Sequence, residues 1–329
     1  MAGYTRREIE AAIRSDGPWI TVRNGVYCER IRISEGGSRD NWLLKDRAAL
    51  LVARRPAVLS HDSAGRLLEL DMLDVPVPGS HLTHRGPRGG RTNSGITRHR
   101  DLLPLCIEYV DGTAATSYAR TAIDLARLHS FQHGLVAVDS ARTKGVPLAD
   151  LEAELDRMAN HPHIAQARAA VKASDGGAES ILETLGRQLV QELEIGDVET
   201  QFAVRLADGA IAWIDLRVGC HMFECDGLVK LVPVEDGGVA SRPAAQVLRD
   251  ERRREAEVCA AGVGMSRIYW NDLWGEARER ALRRLRREYD LTVARYGREL
   301  PAHLRQFADE HPRRRRSRLW LPDALRRAA

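Results

Sequence analysis

Lysine is scarce in this 329-residue chain: Lys45, Lys144, Lys172 and Lys230 stand among 50 basic residues, so arginine carries nearly all of the positive charge. Cysteine is scarce too. Cys28, Cys106, Cys220, Cys225 and Cys259 are odd in number and include no Cys-x-x-Cys pair, which argues against a disulfide framework and a cysteine zinc knuckle. The expectation is buried thiols in a reducing compartment. No apolar run approaches the roughly 18 residues that span a bilayer. The opening MAGYTRREIEAAIRSDG carries no apolar stretch of the secretory type, so the expected setting is cytoplasmic, in a bacterium or encoded by a phage, without membrane attachment. No repeat of about 20 to 50 residues is present.

What is there is enough for folding. The composition is 43% hydrophobic and 29% charged, which excludes wholesale disorder, and the length suits about two domains. The net charge of +4 hides a segregation: residues 1–130 carry +4, residues 131–274 carry −8 and residues 275–329 carry +8. Basic ends flanking an acidic centre suggest a polyanionic partner, with DNA as the natural choice.

Residues 5–15 have helical spacing and are followed by an extended stretch that turns at Asn24-Gly25, a helix-then-hairpin order of winged-helix type. Between Val75 and Arg100 no acidic residue occurs, while Arg85, Arg88, Arg91, Arg98 and Arg100 alternate with Gly, Pro, Thr and His. Such a segment reads as a phosphate-contacting loop. Helical spacing resumes at 114–129 and continues to about 172, and SDGGAES at 174–180 marks a boundary before a capped helix. The expected organisation is a partial winged-helix-like region with a basic loop at 1–100 and a helical connecting region at 101–173. An α/β domain at 174–274 and an Arg-rich helical tail at 275–329 complete it. The overall class is α/β, with a central mixed sheet flanked by helices in the third region.

Chemistry concentrates in that region. If Gly219 and Cys220 form a two-residue hairpin loop, Val218 faces His221 and, three steps on, Asp215 faces Glu224. Asp226 projects to the same side as Glu224, and Lys230 follows. Carboxylates held side by side need a shared proton, a cation or a basic partner. Three acids and a lysine on one sheet face suit Mg²⁺- or Mn²⁺-dependent phosphodiester hydrolysis, with Asp215 and Glu224 as metal ligands. Glu179 and Glu183 share a helix face and either reaches the cluster. Arg249, Arg253 and Arg254 lie on a later helix and suit phosphate clamping. Ser60, His61 and Asp62 are consecutive, which argues against a nucleophile, base and orienter, and no Gly-x-Ser-x-Gly surrounds them.

Residues 174–274 resemble the very-short-patch-repair-like (Vsr-like) branch of the PD-(D/E)XK nuclease superfamily. The matching stretches are Ser180-Ile-Leu-Glu183, Trp-Ile-Asp215-Leu, Glu224-Cys-Asp226-Gly227-Leu-Val-Lys230, Asp250-Glu-Arg-Arg253 and Ser-Arg267-Ile. The resemblance implies a restriction-endonuclease-like fold and a Mg²⁺-dependent endodeoxyribonuclease that nicks or cleaves. Glu183, Asp215, Glu224, Asp226 and Lys230 would then be its catalytic set, with Glu183 acting on the ion through water. Lys230 stands where that branch has His.

Residues 18–150 resemble the N-terminal part of proteins related to AbiEi-type antitoxins, through Trp19-Ile-Thr-Val-Arg-Asn-Gly-Val-Tyr27, Ala57-Val-Leu-Ser-His-Asp-Ser-Ala64 and Thr116-Ser-Tyr-Ala-Arg-Thr-Ala-Ile-Asp-Leu-Ala126. That likeness implies DNA binding by a winged helix and a toxin, or a second copy of the chain, as partner. On this likeness residues 5–15 would be the recognition helix, and the expectation is either a truncated start or a decayed winged helix. The alternative to a nuclease is therefore a non-catalytic DNA-binding regulator with a degenerate nuclease fold. Expected DNA contacts are Arg6, Arg7, Arg85, Arg88, Arg91, Arg249, Arg253 and the run Arg313, Arg314, Arg315 and Arg316, with no nucleotide cofactor.

Overall fold

The computed structural model describes residues 3–31, 38–74, 79–87, 89–102, 106–226 and 244–312. Arg88, Lys230 and Arg313 to Arg316 lie outside them. The protein is α/β, with mixed sheets flanked by helices, and it divides into two units between Ser174 and Asp175.

The first unit opens with α1 (Arg6–Ala12), whose first turn is closed by a reciprocal Thr5–Glu8 capping box. The hairpin β1 (Trp19–Arg23) and β2 (Val26–Glu29) turns at Asn24-Gly25, where Gly25 takes φ +81°. Then come α2 (Ser38–Leu51), β3 (Val58–Leu59) and α3 (His61–Leu67), followed by β4 (Ser80–Arg85), β5 (Gly89–Asn93) and β6 (Ile96–Asp101). Strands β7 (Ile107–Val110) and β8 (Thr113–Thr116) lead into α4 (Tyr118–Leu128), α5 (Phe131–Thr143), α6 (Leu148–Arg157) and α7 (Ile164–Ala173). One six-stranded sheet results, in the order β5-β6-β4-β3-β8-β7, with β4/β6 and β3/β8 parallel and the other pairs antiparallel.

Two expectations are corrected here. The acid-free segment between 75 and 100 is not a loop: its described residues supply three strands of the sheet. Their apolar content is confined to positions such as Leu82 and Ile96, so the alternation that marks a strand is missing from the sequence. Nor does a boundary fall at residue 100. Strands β7 and β8 join the same sheet, and Leu68 and Leu70 share a core with Ile123, Leu125, Leu151 and Met158 from the helices.

The second unit begins with α8 (Ile181–Gln191), capped by the Ser180 hydroxyl, and continues with β9 (Glu199–Arg205), β10 (Ile211–Val218) and β11 (His221–Asp226). Helix α9 (Ala244–Ala260), β12 (Gly264–Tyr269), a short 3₁₀ turn (Trp270–Leu273), α10 (Gly275–Tyr296) and α11 (Ala302–Glu310) complete it. The sheet order is β12-β11-β10-β9, parallel only between β11 and β12. Gly219 takes φ +58°, and Val218 pairs with His221, the hairpin register expected from a two-residue Gly219-Cys220 loop.

The described part of the segment from 275, residues 275–312, is not a separate basic tail. Helix α10 buries Ala281, Leu285, Tyr289 and Thr292, and its arginines meet acids of the same unit: Arg278 pairs with Glu192 at 2.5 Å and Arg284 with Asp272 at 2.8 Å. Arg305 of α11 pairs with Glu199 at the edge strand β9. Of the +8, only +2 belongs to residues 275–312; the rest is carried by residues 313–329, which lie outside the described residues.

Candidate functional site

Asp215 occupies a break in the second sheet. The β10/β11 ladder runs from Val218–His221 to Leu216–Phe223 and goes no further. On the other side, Ile214 pairs with Phe202 and Leu216 with Thr200, while Asp215 is skipped opposite Gln201, whose φ is +53°. Here the Asp215 carboxylate accepts a hydrogen bond from the Cys225 backbone N–H at 2.7 Å, and Gln201 donates to Glu183 at 3.1 Å.

Glu183 is brought in by the start of α8. Its carboxylate accepts from the Glu179 N–H at 2.8 Å and from the Ser180 hydroxyl at 2.9 Å. Close packing of the helix on the sheet holds it there: a Cβ at Gly186 would come within 2.8 Å of Cys225 Sγ. Burial, followed by the negative charge of Asp215, pushes the Glu183 carboxyl up to about 7. Two acids are therefore coupled in a half-buried place.

The other two described acids of the expected set are held by arginines. Glu224 accepts from Arg254 at 2.7 Å, and Asp226 pairs with Arg267 at 2.7 Å. Arg267 also meets Glu255 at 2.8 Å, and these carboxylates hold its guanidinium above its ordinary range against the opposing effect of burial. Arg254 further donates to the Trp213 carbonyl at 3.3 Å, tying α9 to β10. Asp215 thus lies within electrostatic reach of Glu183, whereas Glu224 and Asp226 each meet a guanidinium group. Among the described residues, no three acids of this unit bring ligand atoms together. Arg249 and Arg253 lie exposed on α9, where Arg253 pairs with Glu257 at 3.4 Å.

The first unit holds a basic cleft of about 580 Å³ lined by Arg54, Arg55, His84, Arg91, Arg98 and Arg100, among others, with no acid in its lining. Strand alternation explains it. In the register of β4, β5 and β6, Leu82, Arg91 and Arg98 lie side by side, as do His84 and Arg100. Arg85 pairs with Asp101 and takes the opposite face, outside the cleft, which corrects its expected place beside Arg91. Arg6 and Arg7 are exposed on α1, with Arg6 paired to Glu10 at 2.8 Å.

Sequence reasoning did not single out Arg54, Arg55, Gln201 or the pairing role of Arg267. Only strand register and helix packing place them. Among the described residues, no helix is long and apolar enough to cross a membrane. Comparison with protein-family models finds no family that matches this chain, and comparison with curated proteins finds no match.

Proposed function

We propose that the protein binds DNA and hydrolyses phosphodiester bonds at the Glu183–Asp215 site. The observation that carries this reading is a half-buried Glu183, held by the Glu179 amide, Ser180 and Gln201, with Asp215 opposite Gln201 in the adjoining strand; burial and the charge of Asp215 push the Glu183 carboxyl up to about 7. A carboxylate pair of this kind is stabilised by a divalent cation. The donors are hard oxygens, which suit Mg²⁺ or Mn²⁺, and an ion that keeps most of its waters needs only one or two carboxylates. Asp215 would hold it, with Glu183 acting through a bound water. Glu224 faces Arg254 in the described arrangement.

Such an ion supplies neutralisation of a phosphoryl oxygen and a water of lowered pKa. Glu183, half ionised near neutrality, accepts the proton of an attacking water, with Gln201 and Ser180 fixing its orientation. Arg254 and Arg267 offer planar donors for a phosphate. The arginine cleft of the first unit supplies sequence-independent grip on a phosphate backbone.

Supercoiled plasmid incubated with the protein, in Mg²⁺ or in EDTA, tests the proposal. Wild type is expected to nick in Mg²⁺ alone, and Asp215→Ala to bind DNA without nicking. If wild type never nicks, or Asp215→Ala nicks equally, the hydrolase reading fails. Retained gel retardation would then favour the second reading, a non-catalytic DNA-binding regulator of antitoxin type. The arginine pairing of Glu224 and Asp226 favours that reading.

A further inference from the structure

On the face of the six-stranded sheet opposite the arginine cleft, three histidines far apart in sequence come together. His61 follows β3, His81 lies on β4 and His99 on β6, and one nitrogen from each lies within 4.8 Å of the others. His81 Nδ1 and His99 Nε2 are 3.0 Å apart, and the His61 and His99 rings stack with centroids 3.8 Å apart. Two nitrogens at 3.0 Å subtend about 95° at an ion about 2.05 Å from each.

We infer that His61, His81 and His99 bind a transition-metal ion of the Zn²⁺ class. Three imidazoles are borderline-soft donors, matched to Zn²⁺ or Co²⁺ and unlike the oxygen donors near Glu183. A supporting shell is in place. The far nitrogen of His81, Nε2, faces Asp62 Oδ2 at 3.3 Å, the carboxylate–histidine arrangement that orients a ligating ring. His61 Nδ1 meets the Ser60 hydroxyl at 3.0 Å, and that hydroxyl accepts from Thr83 at 2.8 Å. Asp62 is itself fixed by His129 at 2.8 Å.

His61 adopts φ +48° at the strand-to-helix turn, a conformation that a non-glycine residue keeps only where its surroundings impose it. There is also an entry path. A pocket of about 300 Å³ is lined by His61, His99, Gly90, Arg127 and others, and Gly90 lies directly opposite His99 in the β5/β6 ladder, so no side chain covers that ring from β5.

The test uses the full chain, stripped with a chelator and titrated with Zn²⁺ and with Co²⁺. One equivalent is expected to bind in the micromolar range or tighter, with Co²⁺ giving the intense visible absorption of a four-coordinate imidazole site. His81→Ala and His99→Ala lose that band, and Asp62→Asn weakens binding about 10- to 100-fold. His84→Ala, on the opposite face, and Asp215→Ala, in the other unit, keep it, which separates this site from the proposed hydrolytic one. If the histidine variants fail to fold, protection of the three rings by Zn²⁺ from diethyl pyrocarbonate in wild type decides the matter. Absence of a stoichiometric site in wild type, unprotected rings, or a folded His81→Ala that binds like wild type overturns the inference.

Discussion

Replacing Glu183 by Gln separates electrostatics from packing at the proposed hydrolytic site. The wild-type carboxyl titrates near 7 in the folded protein against an ordinary value of 4.5. The folded state therefore holds a proton that the unfolded chain has released across that interval. Stability linked to this group is fully present below about pH 4.5 and is lost as pH rises through about 7. The difference corresponds to about 3 kcal/mol.

Gln resembles the protonated acid in shape and in its capacity to donate to the Ser180 hydroxyl, so at about pH 4 the two proteins are expected to be nearly equal in stability. By pH 8, in metal-free buffer, Glu183→Gln is expected to be the more stable by about 3 kcal/mol, roughly a hundredfold in local opening. Amide hydrogen exchange of α8 and β10, compared between variant and wild type at each pH, reads this unit alone and cancels the intrinsic rates. Parallel pH profiles for the two proteins would refute the raised pKa of Glu183 in the folded state.

Three further outcomes follow from the geometry. Arg98→Ala and Arg100→Ala are each expected to lower the slope of log affinity for DNA against log salt by about 0.9, while Arg85→Ala leaves it unchanged; salt-dependent fluorescence anisotropy measures this. Arg120 is buried between Asp101 at 2.7 Å and Asp124 at 2.8 Å, so Arg120→Ala strands carboxylates and is expected to cost about 3–5 kcal/mol, a loss of melting temperature on the order of 10 °C by calorimetry. A Cβ at Gly134 meets Ala126 Cα at 2.8 Å, so Gly134→Ala forces α5 away from α4 and is expected to cost about 1–3 kcal/mol in urea unfolding.

The hairpins were legible in the sequence because their turn chemistry is local. Asn24-Gly25 and Gly219-Cys220 each fix a crossing of the chain within two residues, and the last sets the Val218–His221 register. Capped helices were legible for the same reason, as Ser180 ahead of Glu183 shows. What escaped the sequence depends on distance. Strands β4 to β6 carry polar residues on both faces, because one face forms the cleft and the other the histidine pocket, so period-two hydrophobicity never appears. Ser60, His61 and Asp62 drew attention as neighbours, whereas the partners of His61 come from β4 and β6. The Asp215–Glu224 pairing follows the ladder only as far as Leu216–Phe223, and beyond it the irregularity at Gln201 turns Asp215 toward the Cys225 amide.

Strand β6 alternates between two sites: Arg98 lines the cleft and His99 and Asp101 the pocket, while Arg100, beside His84 in the cleft, also borders the pocket. A strand's side chains change faces with every one-residue shift. A single-codon insertion or deletion between the Ser94-Gly95 turn and Arg98 would therefore turn arginines against the histidines and the histidine into the cleft. Both sites would be lost at once, with the fold's hydrogen-bond count almost unchanged. Length changes in this hairpin are tolerable only in pairs of residues, so sequence drift there is constrained by parity before it is constrained by residue type.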